Sequence, residues 1–281
     1  MTDAALAERL AGSRVLLCYG LLGEVIAGLA PVGLDYMGAQ LAWLRGLGMP
    51  VQVVKLPTAA PVGVNAGRIA AALLADSRPA ILVGHSKGGL EALDALLRPG
   101  MAARCRGFIA LQAPFLGSPV ADALLARRRV LMAVHHLARL SRLGTGRGLR
   151  DLTTATRQAW MGAHAAQVAA LLAALPVATL ASDIEQAGDW RELAYRPLAR
   201  WMRAQGAGPG DGLVPVASAL LPGARQRLLP GGHRALVARG PGRDPVGVLR
   251  AELWHIAEAP PAAMAIPSPL PPSPAPHPPP P

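Results

Sequence analysis

The sequence predicts an α/β fold with a mostly parallel central sheet, flanked by helices and interrupted by an inserted helical segment. Short runs rich in valine, isoleucine and leucine alternate along the chain with longer segments of helical period, as in successive βαβ units. Each of these runs is mostly apolar on both faces, which is typical of strands inside a parallel sheet. With 281 residues, 52% of them hydrophobic and 16% charged, the chain can bury one large core.

Six runs have the length and the apolar composition of buried strands, at residues 15–19, 51–56, 80–84, 108–112, 177–181 and 226–229. Segments of helical period separate them, such as the stripe of Leu41, Leu44 and Leu47 before the second run. A last helix is predicted after Asp244, which can cap it, with Pro245 at its first position. We expect the helices to cover the sheet.

The region 118–175 differs from the rest because helical period continues through it almost without a break, with arginine runs on one face. We predict that it forms an inserted helical cap, so that residues 1–117 and 176–258 make up the α/β core. The chain from 259 to 281 is rich in proline and cannot bury a core. An extended, disordered tail is predicted there.

The formal net charge of +11 arises from 28 lysines and arginines against 17 aspartates and glutamates. Aromatic residues, which nucleic-acid surfaces combine with basic side chains, make up only 4%. Nucleic-acid binding is therefore not expected. The charge favours instead acidic substrates or peripheral contact with an anionic membrane, at an affinity that salt would weaken.

Three features of the chain bear on its location. Charges occur from Asp3 onward, before any long apolar stretch, which is atypical of a secretory signal. Cys18 and Cys105 each lie in an apolar run, as small core residues of a reducing compartment do. A proline divides the apolar stretch 159–182, so two soluble elements fit it better than a membrane span. A cytoplasmic protein is expected.

The strongest local signal for chemistry is the segment Gly84-His85-Ser86-Lys87-Gly88-Gly89, between a predicted strand and a helical run. It fits the G-x-S-x-G nucleophile elbow, in which a serine occupies a strained strand-to-helix turn. Glycines are needed at Gly84 and Gly88 because side chains there would collide with the neighbouring strand and helix. Ser86 is the predicted nucleophile, and an ordinary glycine-rich turn is the alternative. A phosphate-binding loop is disfavoured, because Gly88 stands where that motif has serine or threonine.

A serine nucleophile needs a general base and a third group that orients the base. His233 follows two glycines beyond the last predicted strand, where an imidazole can reach the serine. With this elbow the acid precedes the histidine, and Asp211 lies 22 residues before His233 in a glycine-rich loop. Asp183 is the alternative acid. The histidines at 135, 136, 164 and 255 fall in predicted helices without the company of a metal site, and no cofactor is expected.

Acyl transfer also needs N–H donors aimed at the developing oxyanion. One is expected from the backbone of Lys87, the residue after the nucleophile. The other is assigned to the Leu21 N–H in the loop after the first predicted strand, where Gly20 lets the backbone approach the substrate. A plain glycine-containing turn is the alternative interpretation of that loop.

Six separated segments resemble bacterial lipases and related esterases of the α/β-hydrolase superfamily, in the same order along the chain. The loop 19–23 is similar to the family's His-Gly-Leu/Phe-x-Gly oxyanion loop, and 84–89 to its Gly-His-Ser-x-Gly-Gly elbow. The other similar segments are 113–119, 150–153, 211–215 and 233–237. Tyr19 and Phe115 stand where the family usually has histidine. The resemblance implies an α/β-hydrolase fold, a lipase-like triad and hydrolysis of carboxylic esters.

These observations predict an intracellular serine hydrolase that cleaves a small-molecule ester or lipid through an acyl-enzyme on Ser86. An acyltransferase or a thioesterase would use the same triad, since water and other acceptors compete for the same acyl-enzyme. A catalytically silent hydrolase fold that binds a membrane or a partner is a further alternative. Tyr19, the arginines of the predicted cap and the proline-rich tail suggest it.

Overall fold

A computed structural model describes residues 2–20, 36–57, 59–126, 147–186 and 195–259. Its strands are β1 (Arg14–Cys18), β2 (Val51–Val53), β3 (Ala80–His85), β4 (Cys105–Leu111), β5 (Val177–Asp183) and β6 (Arg225–Pro230). They form one six-stranded sheet in the order β2-β1-β3-β4-β5-β6, and every pair is parallel. The six predicted strands and the parallel sheet are confirmed, with strand ends that differ by at most three residues.

Helices lie on both faces of this sheet, as the predicted α/β fold requires. Those in the described ranges are α1 (Asp3–Arg9), α2 (Gly38–Gly46), α3 (Val62–Leu74), α4 (Lys87–Leu96), α5 (Pro119–Ala126), α6 (Thr154–Ala163), α7 (Ala165–Ala174), α8 (Arg196–Ala204), α9 (Val216–Ala219) and α10 (Pro245–Glu258). The cap of α10 is the predicted one, because the Asp244 carboxylate accepts the Gly247 N–H at 2.7 Å.

Successive residues of the inner strands point to opposite faces of the sheet and enter two separate hydrophobic clusters. In β3, Leu82 packs on the side of α3, α4 and α7. Its neighbour Ile81 packs on the side of α1, α2 and α10. Both side chains are fully buried. This burial on two sides explains why the inner strands are continuous apolar runs.

The strand β6 departs from that pattern because it lies at an edge of the sheet and has one neighbour. Leu228 is 45% exposed. Arg225 and Arg227 point toward α10, where each donates to the buried carboxylate of Glu252, at 2.9 and 2.7 Å. The expectation of apolar residues on both faces is therefore wrong for β6, where two arginines lie on the face toward α10 and pair with a buried carboxylate.

The described part of the predicted cap contains α5, α6, α7 and a 3-10 helix at Arg147–Leu152. The expected nearly continuous helix is interrupted there. Thr153 caps α6, its hydroxyl accepting the Thr156 N–H at 3.4 Å, and His164 separates α6 from α7. Residues 127–146, with the arginine runs, and the predicted tail from 260 onward lie outside the described residues.

Helix α7 packs on the sheet itself. Its Val168 and Leu171 are buried in the same cluster as Phe108 of β4. The proposed division of the chain into core, cap and tail stays a prediction.

Both cysteines lie in the core. Cys18 and Cys105 are free and buried, as their apolar context predicts, and burial raises the pKa of the Cys105 thiol to about 12. Among the helices that the structure describes, none has the length and apolar composition needed to cross a membrane.

Candidate active site

Ser86 occupies the turn between the last residue of β3 and the first residue of α4. Its φ and ψ are 54° and −126°, in the positive-φ region that side chains rarely adopt. The Ser86 N–H donates to the Leu111 carbonyl at 2.9 Å and holds the turn. A Cβ at Gly84 would lie 2.7 Å from the α4 backbone, and one at Gly88 would overlap the Cys18 carbonyl. The elbow therefore requires glycine at both positions, as predicted.

Three predicted side chains meet at this turn in one hydrogen-bonded chain. His233 Nε2 lies 2.9 Å from Ser86 Oγ, and His233 Nδ1 lies 2.8 Å from Asp211 Oδ2. The residues come from separate loops at the carboxyl edge of the sheet, where α/β proteins place their ligand sites. All three are buried, and Ser86 keeps the largest exposed fraction, 9%. The arrangement can pass a proton from the hydroxyl to the imidazole.

The Asp211 carboxylate is oriented by the backbone of its own loop. Its Oδ1 accepts the N–H groups of Leu213 and Val214 at 2.8 and 2.7 Å, which leaves Oδ2 for His233. Gly212 enables the tight turn with a φ of 96°. The predicted glycine-rich acid loop is thus the segment that presents the carboxylate.

Asp183, the alternative acid, ends β5 and interacts with other groups. Its Oδ1 accepts the Glu185 N–H at 3.1 Å, and Arg203 Nη2 lies 4.0 Å from it. The contact of the His233 imidazole with Asp211 therefore favours Asp211 over Asp183 as the acid.

Three buried polar residues beneath the serine were missed by the sequence analysis. Tyr36 Oη lies 2.6 Å from His85 Nδ1, and His85 Nε2 lies 2.9 Å from the backbone carbonyl of His233. Gln112 Nε2 donates to the Gly232 carbonyl at 2.9 Å. The only sequence signal was the position of His85 beside the nucleophile.

The predicted oxyanion donors are described in part. Lys87 is the first residue of α4, and the N–H of a first helical residue has no partner inside the helix. Leu21 lies outside the described residues. Gly20, which precedes it, packs so close to the nucleophile that a Cβ there would lie 2.8 Å from Ser86 Cβ. Glycine at this position therefore allows the loop after β1 to approach the serine.

The side chain of Lys87 turns away from the site and is fully buried beneath α4. Its Nζ pairs with Glu91, which also accepts from Asn65 Nδ2 at 2.7 Å. Burial raises the pKa of Glu91 to about 7, although the lysine opposes the shift. Glu91 Oε2 and Asn65 Oδ1 have no hydrogen-bond partner in the described part of the chain.

The other histidines considered in the sequence lie away from this site or outside the described residues. His164 stacks on Trp160 with ring centroids 4.2 Å apart, and His255 belongs to the last turn of α10. His135 and His136 are not among the described residues. Within the described ranges, no three histidine, cysteine, aspartate or glutamate side chains are grouped to hold a metal ion.

Solved structures of known proteins share this architecture. The chain is similar to a metagenomic carboxyl esterase, with 21% identity and a TM-score of 0.65, over 88% of this chain and 74% of that one. It is also similar to the mature form of a lipase from Bacillus licheniformis, with 22% identity and a TM-score of 0.58, over 78% and 84% of the two chains. No family model and no curated protein matches the sequence. The parallel sheet and these likenesses show that the chain has the α/β-hydrolase fold.

Proposed function

We propose that this protein is a serine hydrolase that cleaves carboxylic esters through an acyl-enzyme on Ser86. The observation that carries the proposal is the hydrogen-bonded chain from Ser86 Oγ through His233 to Asp211, at a strained strand-to-helix turn. The likeness in fold to a carboxyl esterase and to a lipase supports the substrate class, a small-molecule ester or a lipid.

The acylation step follows from the positions of the two nitrogens of His233. Asp211 accepts a hydrogen bond from the Nδ1–H group, which keeps the proton on Nδ1 and leaves Nε2 unprotonated toward Ser86. As Ser86 Oγ bonds to the ester carbonyl carbon, Nε2 takes the hydroxyl proton. The tetrahedral intermediate then expels the alcohol, which leaves with the proton from Nε2, and the acyl group stays on Oγ.

Deacylation repeats these transfers with water. A water molecule gives a proton to His233 Nε2 as its oxygen bonds to the acyl carbon. Ser86 Oγ leaves with that proton, and the free acid is released. In both steps the Lys87 N–H, at the start of α4, is assigned to the developing oxyanion together with the Leu21 N–H.

A fluorophosphonate probe tests the nucleophile directly, since it phosphonylates an activated serine hydroxyl. We expect the wild-type protein to be labelled and to release acid from short acyl esters. Ser86→Ala should lose both properties. Ser77→Ala, which removes an exposed serine, should keep both. Equal labelling of the wild type and Ser86→Ala would exclude Ser86 as the nucleophile.

Product analysis with an added alcohol or thiol separates hydrolysis from transfer. We expect free acid as the main product, because nothing in the described site marks a second acceptor. A new ester as the main product would make the protein an acyltransferase that uses the same acyl-enzyme.

A further inference from the structure

A run of buried hydrogen bonds lies directly beneath Ser86 and takes no part in the proposed proton transfers. The Gly20 N–H donates to Tyr36 Oη at 2.9 Å, and Tyr36 Oη lies 2.6 Å from His85 Nδ1. His85 Nε2 lies 2.9 Å from the carbonyl oxygen of His233. The run therefore starts in the loop after β1 and ends on the backbone of the proposed general base.

The chemistry of the groups fixes the direction of each hydrogen bond. A carbonyl oxygen only accepts, so His85 Nε2 carries a proton and donates it to His233. In a neutral imidazole the other nitrogen accepts, so the Tyr36 hydroxyl donates to Nδ1 and receives the Gly20 N–H on its own oxygen. Burial lowers the pKa of His85 to about 3, so the ring stays neutral near neutral pH and every donor keeps its acceptor.

Gln112 holds the same loop from the end of the next strand. Its Nε2 donates to the Gly232 carbonyl at 2.9 Å, and its Oε1 lies 3.2 Å from His85 Nε2. The backbone φ of Gln112 is 52°, which is unusual for a residue other than glycine. Such a conformation persists only where the surrounding structure enforces it. Two successive carbonyls, at 232 and 233, are thus tied to the ends of β3 and β4.

We propose that His85 is a positioning residue, which sets the place of the His233 imidazole relative to Ser86. Through Tyr36 it also sets the place of Gly20. His85 directly precedes Ser86 in the chain. Groups that are hydrogen-bonded to its ring are therefore held at a fixed position relative to the nucleophile. This inference rests on the proposed function and deepens it, because the two held residues are the proposed base, His233, and Gly20, which precedes the proposed oxyanion donor Leu21.

Catalysis is expected to respond strongly to this alignment. A misplacement of about 1 Å between reacting groups lowers rates on the order of 100-fold. The side chains of Tyr36 and His85 are buried, so their replacement is expected to change substrate binding little. The signature of a positioning role is therefore a fall in kcat with a nearly constant KM.

Three variants test the proposal with an ester that the wild type hydrolyses. We expect His85→Leu to lower kcat about 100-fold and Tyr36→Phe about 10-fold, with KM within about threefold, because both variants remove hydrogen bonds of the buried run without altering the reacting groups. His85→Gln keeps an N–H donor for the His233 carbonyl and should restore part of the kcat lost in His85→Leu. His255→Leu, in α10, is the matched control and should keep the wild-type kcat.

The outcomes separate this inference from the proposed function. Wild-type kcat in a folded His85→Leu or Tyr36→Phe protein would overturn the positioning role, even if the melting temperature fell. If His85→Leu does not fold, Tyr36→Phe decides alone, since it removes a single oxygen atom. Absence of ester turnover and of serine labelling in the wild type would instead contradict the proposed function, and this inference would fail with it.

Discussion

Asp211 and Asp183 are two buried carboxylates at the same edge of the sheet, and only Asp211 contacts His233. The N–H groups of Leu213 and Val214 require an acceptor at Oδ1. In Asp211→Asn the amide oxygen must therefore face these donors, so the NH2 group faces His233 Nδ1. The imidazole is then forced to carry its proton on Nε2, toward Ser86, where it cannot act as a base.

For this reason we expect Asp211→Asn to lower kcat on the order of 10⁴-fold, the size typical of a triad histidine held in the wrong tautomer. Asp183→Asn is the matched control and should keep kcat within a few fold. Steady-state kinetics on one ester substrate, with both variants checked for folding by circular dichroism, provide the measurement. The reverse ranking of the two variants would restore Asp183 as the acid.

The residues of the proposed triad could be predicted from the sequence, whereas the buried polar residues beneath them could not. Ser86 and His233 carry local signals, since glycines flank the first and precede the second. Tyr36 and Gln112 lie 49 and 27 positions from His85 in segments without a motif. Their roles depend on which side chains the fold brings together beneath the serine, and no local pattern records this.

The buried His85 imidazole makes a testable contribution to the pH dependence of stability. Its pKa is lowered from 6.5 to about 3 by burial, so between these values the unfolded chain binds a proton that the folded chain does not. This contribution is present above pH 6.5 and is lost as the pH falls toward 3. By pH 4 the loss is on the order of 3 kcal/mol in the free energy of unfolding.

Urea unfolding of the wild type and of His85→Gln between pH 4 and 8 measures this effect. Other titrating groups are common to both proteins and cancel in the difference. We expect the stability advantage of the wild type to shrink as the pH falls below 6.5. Parallel curves for the two proteins would show that His85 does not remain neutral by burial.

At the scale of elements, α4 and the turn after it carry two ion pairs. The partners are four residues apart in both pairs, but one pair is buried and the other lies near the surface. Lys87 and Glu91 are fully buried, whereas Asp94 and Arg98 lie near the surface with a separation of 3.5 Å. The pKa of Glu91 is raised to about 7 by burial despite the lysine, so desolvation outweighs the pairing.

We therefore expect Glu91→Leu to destabilise the protein by about 3–5 kcal/mol, because it leaves the Lys87 charge buried without a partner. The double variant Lys87→Met, Glu91→Leu should recover most of this loss. Asp94→Asn, the surface control, should cost less than about 1 kcal/mol. Denaturant unfolding checks all three, and a double variant as unstable as Glu91→Leu would contradict the argument.

The strands and helices were predictable where burial imposes a simple pattern of apolar residues. The inner strands are buried on both faces, so their sequences contain continuous apolar runs, although the start of β4 lies three residues before its apolar run. The nearly continuous helix predicted for 118–175 is interrupted at Thr153 and His164, because helical period alone does not reveal a helix cap. The threonine was a signal for that cap, since its hydroxyl can accept the N–H of Thr156.

At the scale of the whole molecule, the parallel sheet explains how distant residues meet. All six strands end at the same edge, so the loops after β3, β5 and β6 open toward one another. The loop after β3 carries Ser86, that after β6 carries His233, and Asp211 lies between β5 and β6. Residues up to 147 positions apart are thereby brought within hydrogen-bonding distance.

The net charge of +11 is likewise a property of the whole chain, and its exposed arginines are spread over several elements. Arg45, Arg68, Arg200 and Arg203 are exposed on α2, α3 and α8. Attraction of such a surface to anionic lipid acts through the solvent and is screened within about 10 Å at 0.1 M salt. A charge-driven contact with membranes must therefore weaken as salt is added.

We expect the protein to co-sediment with vesicles that contain anionic phospholipid at low salt, and to be released at 0.5 M salt, where the screening length is about 4 Å. Replacing these four arginines by glutamine lowers the net charge from +11 to +7, since 11 − 4 = 7, and should weaken binding. Neutral phosphatidylcholine vesicles are the control and should bind little protein. Binding to neutral vesicles, or binding that persists at high salt, would mean that apolar insertion rather than net charge holds the protein at the lipid surface.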